Sequence, residues 1–389
     1  MHFTTLLGGR LQWRHAFWAT AGRTLAAGAL LYGALAGSAT AATESESASR
    51  PVNGYIALLL PGQAKAFKPA VDSIRAGVLA AERVHGGVEV PLVRVIDTTD
   101  KEEDIKAQYQ RAVDGGAIAV IGPLTKSAIN YLADSSELKV PTVALNGFDP
   151  TTLPQSQLYS FGLGVESDAA ATAMLVRQEG GRQPVILQTN DSIGQRLAQG
   201  FSNAWREIHG SEPLVIRVAN PRRDAPEIRQ QLNDALPDAV FLAMDAKSAR
   251  VVRPFVGNER AVYASNQINP GRLPATTLVD LAGVKYLDMP WLAAPDSEGY
   301  ALYNRTRSSA NDLERLFALG VDAWRIAAIL STGQRFERLE GLTGVLTLSP
   351  DNVVNRESVV RVMGRKPASA SGTAEVAPEA AAPAVVNEQ

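Results

Sequence analysis

Apolar residues follow two patterns along this chain: short unbroken runs, and longer stretches with apolar positions three and four apart. The first predicts strands buried on both faces, the second amphipathic helices. Tyr55–Leu60 reads as an opening strand closed by Pro61-Gly62. Lys68–Val84 follows as a helix, with Val71, Ile74, Val78 and Leu79 at helical spacing and Gly86-Gly87 as its stop. Val90–Ile96 reads as a second strand, and the polar turn Asp97–Asp100 leads to a helix over Ile105–Val113. Ala117–Ile121 is the next strand; the loop Gly122–Ser127 opens an amphipathic helix, and Thr142–Leu145 is a further buried strand. Strands alternating with helices in this way predict one parallel sheet.

A second series begins after Phe161. It predicts helices over Ser167–Gln178, Ile193–His209, Ala225–Leu236 and Ala246–Val256, and strands over Pro184–Gln188, Leu214–Val218, Asp238–Ala243 and Arg260–Ala264. Two βα series of similar size imply an α/β protein of two lobes, with the loops at the carboxyl ends of both sheets facing a cleft. Asn311–Leu330 then reads as a long helix with Leu313, Leu316, Phe317, Val321, Trp324, Ala327 and Ala328 on its apolar side. Phe336–Leu348 reads as a glycine-broken strand pair.

Composition adds a compartment. Residues 1–41 carry Arg10, Arg14 and Arg23, no acidic residue, a short apolar segment (Leu25–Ala36) and the small-residue run Ser38–Ala41. This is the pattern of a secretory signal peptide cleaved after Ala41, and no later segment approaches a transmembrane run. The chain has no cysteine, which excludes disulfides, a cysteine nucleophile or metal site and a lipidated cysteine. A soluble protein of the bacterial periplasm is the expectation. Of 38 Lys+Arg and 40 Asp+Glu, removal of the three signal arginines leaves 35 against 40. That balance, without a basic stripe, excludes nucleic acid as a partner. Residues 42–52 read as a polar linker and 366–389 as an Ala/Pro/Glu-rich tail.

Polar groups after strands of both series mark a candidate cleft. Gln63 follows the first strand; Thr125, Lys126 and Ser127 sit where a strand ends and a helix begins, a place suited to anions. Asn146, Asn190, Asp191, Asp245 and Asn266 occupy the matching positions after later strands. Each has a structural alternative: Thr125, Ser127 and Asp191 as helix caps, Lys126 as a solvated loop tip, Asn146 as a turn residue. Tyr55 and Phe148 are the nearest aromatic candidates for stacking a sugar and equally fit core or turn packing. Catalysis finds no support, since no G-x-S-x-G elbow, H-E-x-x-H pair or P-loop occurs. Outside the signal the histidines are His85 and His209, each before a glycine at a helix end, and Glu102-Glu103 reads as a solvated pair. No cofactor or metal is expected.

The order of elements resembles the type 1 periplasmic-binding-protein superfamily, whose chain crosses three times between two Rossmann-like lobes. Gly320-Val-Asp322-Ala-Trp324 matches the helix that returns to the first lobe, and Gly341-Leu-Thr-Gly344 the strand that completes the second. Within it the chain is most similar to the LppC-type penicillin-binding-protein activators. Ile56–Pro61, Val120–Leu124 with Lys126, Pro141–Asn146, Phe161-Gly-Leu163 with Glu166, then Arg196, Phe201 and Trp205, and Leu339–Gly344 carry that likeness. The resemblance implies lobe 1 over 53–164 plus 288–335 and lobe 2 over 165–287 plus 336–365. It implies a non-enzymatic regulator that binds a class A penicillin-binding protein. Trp291, in Asp288-Met-Pro-Trp291 after a lobe crossover, is a candidate exposed contact, with hinge packing the favoured role. Longer family members carry a helical-repeat domain in front and a lipid-modified cysteine, and neither is read in this sequence, which puts outer-membrane anchoring in question. The competing expectation is a periplasmic receptor that holds a small amino-acid-like ligand in the cleft for an ABC transporter.

Overall fold

The computed structural model describes residues 54–87, 90–148, 155–305 and 307–364. Its first half runs β1 (Tyr55–Leu60), α1 (Lys68–His85), β2 (Val93–Asp97), α2 (Glu102–Asp114), β3 (Ala117–Ile121), α3 (Lys126–Ser135), β4 (Thr142–Ala144) and β5 (Leu158–Ser160). These five strands form one parallel sheet in the order β2-β1-β3-β4-β5, with Leu58 opposite Val95 on one side and Ile121 on the other. Every residue of β1 is buried, as an unbroken apolar run at the centre of a two-sided sheet requires.

The second half runs α4 (Val165–Gln178), β6 (Pro184–Thr189), α5 (Ser192–His209), β7 (Leu214–Val218), α6 (Pro221–Ala235), β8 (Ala239–Ala243), α7 (Ala246–Val256), β9 (Ala261–Ala264), α8 (Ala275–Asp280) and β10 (Lys285–Asp288). After β10 come α9 (Pro290–Ala293), α10 (Glu298–Ala301), α11 (Asn311–Ser331), β11 (Leu339–Glu340), β12 (Val345–Leu348), β13 (Val354–Glu357) and β14 (Val359–Val362). The second sheet has the order β14-β10-β9-β8-β6-β7, parallel except for β14, which runs antiparallel to β10. Setting β14 aside, both sheets repeat one order, with switch points between β1 and β3 and between β6 and β8.

Helices pack on both faces of each sheet. Ile56, Leu58 and Ile121 of the first sheet pack with Ile74, Val78, Phe317 and Trp324 of α1 and α11, while Ala57, Leu59 and Val120 face Ile105 and Tyr109 of α2 and Ile129 of α3. In the second, Leu187 and Leu242 face α6 and α7, and Ile186 and Phe241 pack with Phe201 and Trp205 of α5. Helices α1 and α11 approach so closely that each supplies a glycine at the crossing. A Cβ on Gly77 would lie 2.1 Å from the Phe317 carbonyl oxygen, and one on Gly320 2.2 Å from that of Ile74.

One expected boundary is corrected. The stretch 336–365 was expected to complete the second lobe, yet Phe336, Leu342, Leu346 and Val354 sit in the first-sheet core with Trp324. Strands β11, β12 and β13 form a small antiparallel sheet of their own, and of this stretch β14 is the strand that joins the second sheet. The cause is Asp322 on α11. Its buried carboxylate accepts the amide hydrogens of Leu342 (3.0 Å) and Thr343 (2.8 Å) and the Thr343 hydroxyl (2.7 Å), which fixes the Gly341–Gly344 turn against the first-lobe helix. Gly341 is needed there because a Cβ would meet Asp322 Oδ2 at 2.5 Å. The signal peptide, the linker and the tail lie outside the described residues.

Candidate functional site

Of the expected cleft residues, Gln63 and Thr125–Ser127 follow β1 and β3 at the first switch point, and Asn190, Asp191 and Asp245 follow β6 and β8 at the second. Gln63 is exposed after β1, and its Nε2 donates to the Asp97 carbonyl at 2.9 Å, tying together the ends of β1 and β2. Thr125 is the N-cap of α3, with its hydroxyl oxygen 3.4 Å from the Ala128 amide nitrogen, and Lys126 and Ser127 follow it, both exposed. Asn146 donates from Nδ2 to the Leu124 carbonyl (3.3 Å) and accepts from the Gly147 amide (2.9 Å), so it braces the loops after β3 and β4.

On the other lobe Asp191 caps α5 through the amides of Ile193 and Gly194 (3.0 and 2.9 Å), and Asp245 caps α7 through that of Ser248 (2.8 Å). Asn190 is exposed, and its carbonyl accepts from Gln195. Three of the expected ligand groups thus have their side chains engaged as helix caps, holding the orphan amides of a first turn. Tyr55 belongs to the first-lobe core, its hydroxyl donating to the Ala112 carbonyl, and Phe148 is half-buried against that core.

Asn266 lies elsewhere, inside a buried polar junction that no local pattern announced. Its Nδ2 donates to Asp168 Oδ2 at 2.6 Å, and Arg356 on β13 pairs with Asp168 Oδ1 at 2.9 Å. Arg315 on α11 donates to both oxygens of Asp288 at the end of β10 (3.1 and 2.8 Å), to Asp312 (2.7 Å), and to the carbonyls of Asn266 and Asn269. Asp168, Asp288 and Arg315 are all nearly inaccessible. Two helices and two strands from the two sheet systems are therefore joined by charged groups removed from water. Burial pushes the Asp168 carboxyl above its ordinary value, with Arg356 and Arg315 opposing. The sequence signal that could have exposed half of this junction is the pair Glu314-Arg315, charged residues interrupting the apolar helix α11.

Trp291 corrects the expectation of an exposed contact. It is 1 % exposed, packs against Phe317 and Tyr300, and donates from Nε1 to Glu314 at 3.0 Å. Arg305 and the Ser308 amide hold the other oxygen of that carboxylate. The side chain belongs to the core of the first lobe.

A second, more exposed link starts at Glu166 in the first turn of α4, which takes a two-pronged bond from Arg196 of α5 (2.6 and 2.9 Å). Burial raises the Glu166 carboxyl, but the Arg196 hydrogen bonds and the charges of Arg196 and Lys126 bring it below its ordinary value. Arg196, Phe201 and Trp205 share one helix with divided duties: the arginine faces outward to Glu166, and the two aromatics are core.

A family model described as "LppC putative lipoprotein" matches residues 48–359. The chain belongs to the LppC family. Among curated relatives, the penicillin-binding protein activator LpoA of Haemophilus influenzae is 27 % identical over 282 residues, covering 70 % of this chain and 48 % of that protein. LpoA of Aliivibrio fischeri is 26 % identical over 358 residues, covering 82 % and 57 %. The chain spans about half the length of the curated relatives it matches. The LpoA C-domain from Haemophilus influenzae, described as a regulator of PBP1A, superposes with a TM-score of 0.67 at 22 % identity, over 80 % of this chain and 97 % of that one. A solved Chromobacterium violaceum protein described as a "putative branched-chain amino acid ABC transporter" gives 0.69 at 32 % identity, over 80 % and 100 %. These likenesses establish the type 1 periplasmic-binding-protein fold for this LppC chain. Among the described residues no helix is long and apolar enough to cross a membrane, and no group of three or more His, Cys, Asp and Glu side chains could hold a metal ion.

Proposed function

We propose that this chain is a non-enzymatic periplasmic regulator that binds a class A penicillin-binding protein and raises its crosslinking activity. The observation that carries the reading is the LppC match over nearly all of the folded region, with the described part corresponding to almost the whole LpoA C-domain. The mechanism is preferential binding: a regulator with higher affinity for the active conformation of its synthase shifts the population toward it. Such a partner needs a rigid surface rather than a cleft that closes. The buried pairs Asp168–Arg356 and Arg315–Asp288 suit that need, because parting the lobes would strand charges in a dry interior.

The second reading, a receptor for a small amino-acid-like solute, draws on the 32 % identity to the Chromobacterium violaceum protein. It needs an anion clamp and an acidic group for an ammonium, and the groups best placed for these, Thr125 and Asp191, are engaged as caps.

The test is peptidoglycan crosslinking by class A synthases of the same organism, with and without the purified chain. A saturable rise in transpeptidation with direct binding supports the regulator. No binding and no rate change with any of them removes it, and a thermal shift of the chain with branched-chain amino acids would then favour the receptor.

A further inference from the structure

Strand β7 holds in the second sheet the edge place that β2 holds in the first, and each pairs with a strand on one side only; the far edge of the first sheet, β5, is closed instead. Strand β5 is covered where the Ser160 amide donates to the Asn352 carbonyl at 2.9 Å and Ser160 bridges to Val353. Strand β7 pairs with β6 on one side, and among the described residues no strand pairs along its other side. One face of β7 is satisfied, since Ile216 and Val218 are buried against α6 and α7. Its opposite face is not: α5 covers β6 but leaves Val215 and Arg217 exposed.

The uncovered face forms one wall of an open groove of about 880 Å³, lined also by Gln188 of β6, Asn190 just after it, and Gln195, Gln199 and Ser202 of α5. Its lining is amide-rich, holds one cation, Arg217, and contains no carboxylate. Gln195 and Gln199 already donate within the chain, to the Asn190 carbonyl and to Asn203 Oδ1, so Gln188 and Asn190 are the amides that present a donor and an acceptor together, the pairing that a peptide backbone offers in return. A free strand edge beside such a groove accepts an added strand, with main-chain hydrogen bonds for affinity and side-chain contacts for choice.

We propose that the β7 edge and this groove form the docking surface for an extended, acid-bearing peptide segment of the synthase, which adds beside β7 and sets a carboxylate against Arg217. The proposal rests on the regulator reading above and deepens it by naming the surface and the kind of segment that fits it. The charge balance argues for the acid, and the groove's openness argues for a chain passing through rather than an enclosed small molecule.

Two measurements test it. Arg217→Glu should weaken binding of the synthase at least about tenfold, the worth of one charge-assisted hydrogen bond, and abolish stimulation at concentrations where the unmodified chain saturates. Arg217→Lys should stay within about threefold, and Arg111→Glu on α2 should change nothing. Thermal midpoints of all variants matching that of the parent exclude misfolding. Because the chain has no cysteine, Ser202→Cys carries a single photoreactive label in the groove. Crosslinks from it to an acidic segment of the synthase support the proposal. Crosslinks to residues 365–389 of the chain itself overturn the partner assignment. Unchanged binding by Arg217→Glu overturns the site while leaving the regulator reading intact, since the parent chain still stimulates. A parent chain that neither binds nor stimulates removes both.

Discussion

Asp168 in the first turn of α4 and Arg356 on β13 stand 188 positions apart in the chain and pair at 2.9 Å, with only about a tenth of either side chain accessible. Their elements belong to different packing systems: α4 contributes to the second-lobe core, whereas β12 and β13 lie on the first. The pair is therefore a bond between lobes. Because both charges leave water, its net worth to folding is small while the penalty for losing one partner is large.

Removing one partner, as in Arg356→Leu, should cost about 3–5 kcal/mol, and the double variant Asp168→Leu with Arg356→Leu should recover a substantial part of that. Denaturant unfolding of the two singles and the double measures it. Additive losses would show that the two groups are not coupled.

Thr343→Val keeps the shape of the Gly341–Gly344 turn and removes the hydroxyl that donates to Asp322 at 2.7 Å. A hydrogen bond to a buried carboxylate is worth about 1.5–3 kcal/mol, and that is the expected loss. Asp322→Ala should cost more, since the Leu342 and Thr343 amides lose their acceptor together. A Thr343→Val variant with the parent's unfolding midpoint would disprove the anchor.

Gly320→Val forces a side chain into the Ile74 carbonyl at the α1–α11 crossing. The helices must separate or the chain must unfold, and the expected loss is at least about 1–3 kcal/mol. Substitution of Gly180, which has open space around it but a φ of 92°, should act through local backbone strain and leave that crossing intact. Comparing amide exchange in α1 between the two variants separates the effects.

The Glu166–Arg196 pair predicts a pH effect of definite sign. The Glu166 carboxyl is held below its ordinary value in the folded chain, so its stabilisation is complete above that ordinary value and is lost as the pH falls through the depressed one. Glu166→Gln should be less stable than the parent near neutrality by a few tenths of a kcal/mol, because the pair is half exposed. The gap should close in strong acid. A gap that stays constant with pH would mean that the carboxylate charge contributes nothing.

The sequence by itself determined the elements. The runs at Ala117–Ile121 and Ala246–Val256 and the long helix from Asn311 are where periodicity placed them, because the spacing of apolar residues reports directly which sides of a segment leave water. It also marked Thr125 and Asp191 as helix starts, since a cap acts within three residues of itself, whereas the cap role of Asp245 came from the structure. Strands β5 and β10 escaped it: Leu-Tyr-Ser and Lys-Tyr-Leu-Asp hold no unbroken apolar run, whereas the equally short β4 and β9 do lie in apolar stretches. What only the tertiary structure decided is which buried side meets which. The apolar face of β12 could have served either lobe, and the carboxylate of Asp322 on a distant helix assigned it to the first. Asn266 looked like a cleft residue until Asp168 and Arg315 came to rest beside it. Local pattern records burial, whereas ion pairing depends on distances between elements that the chain order leaves free.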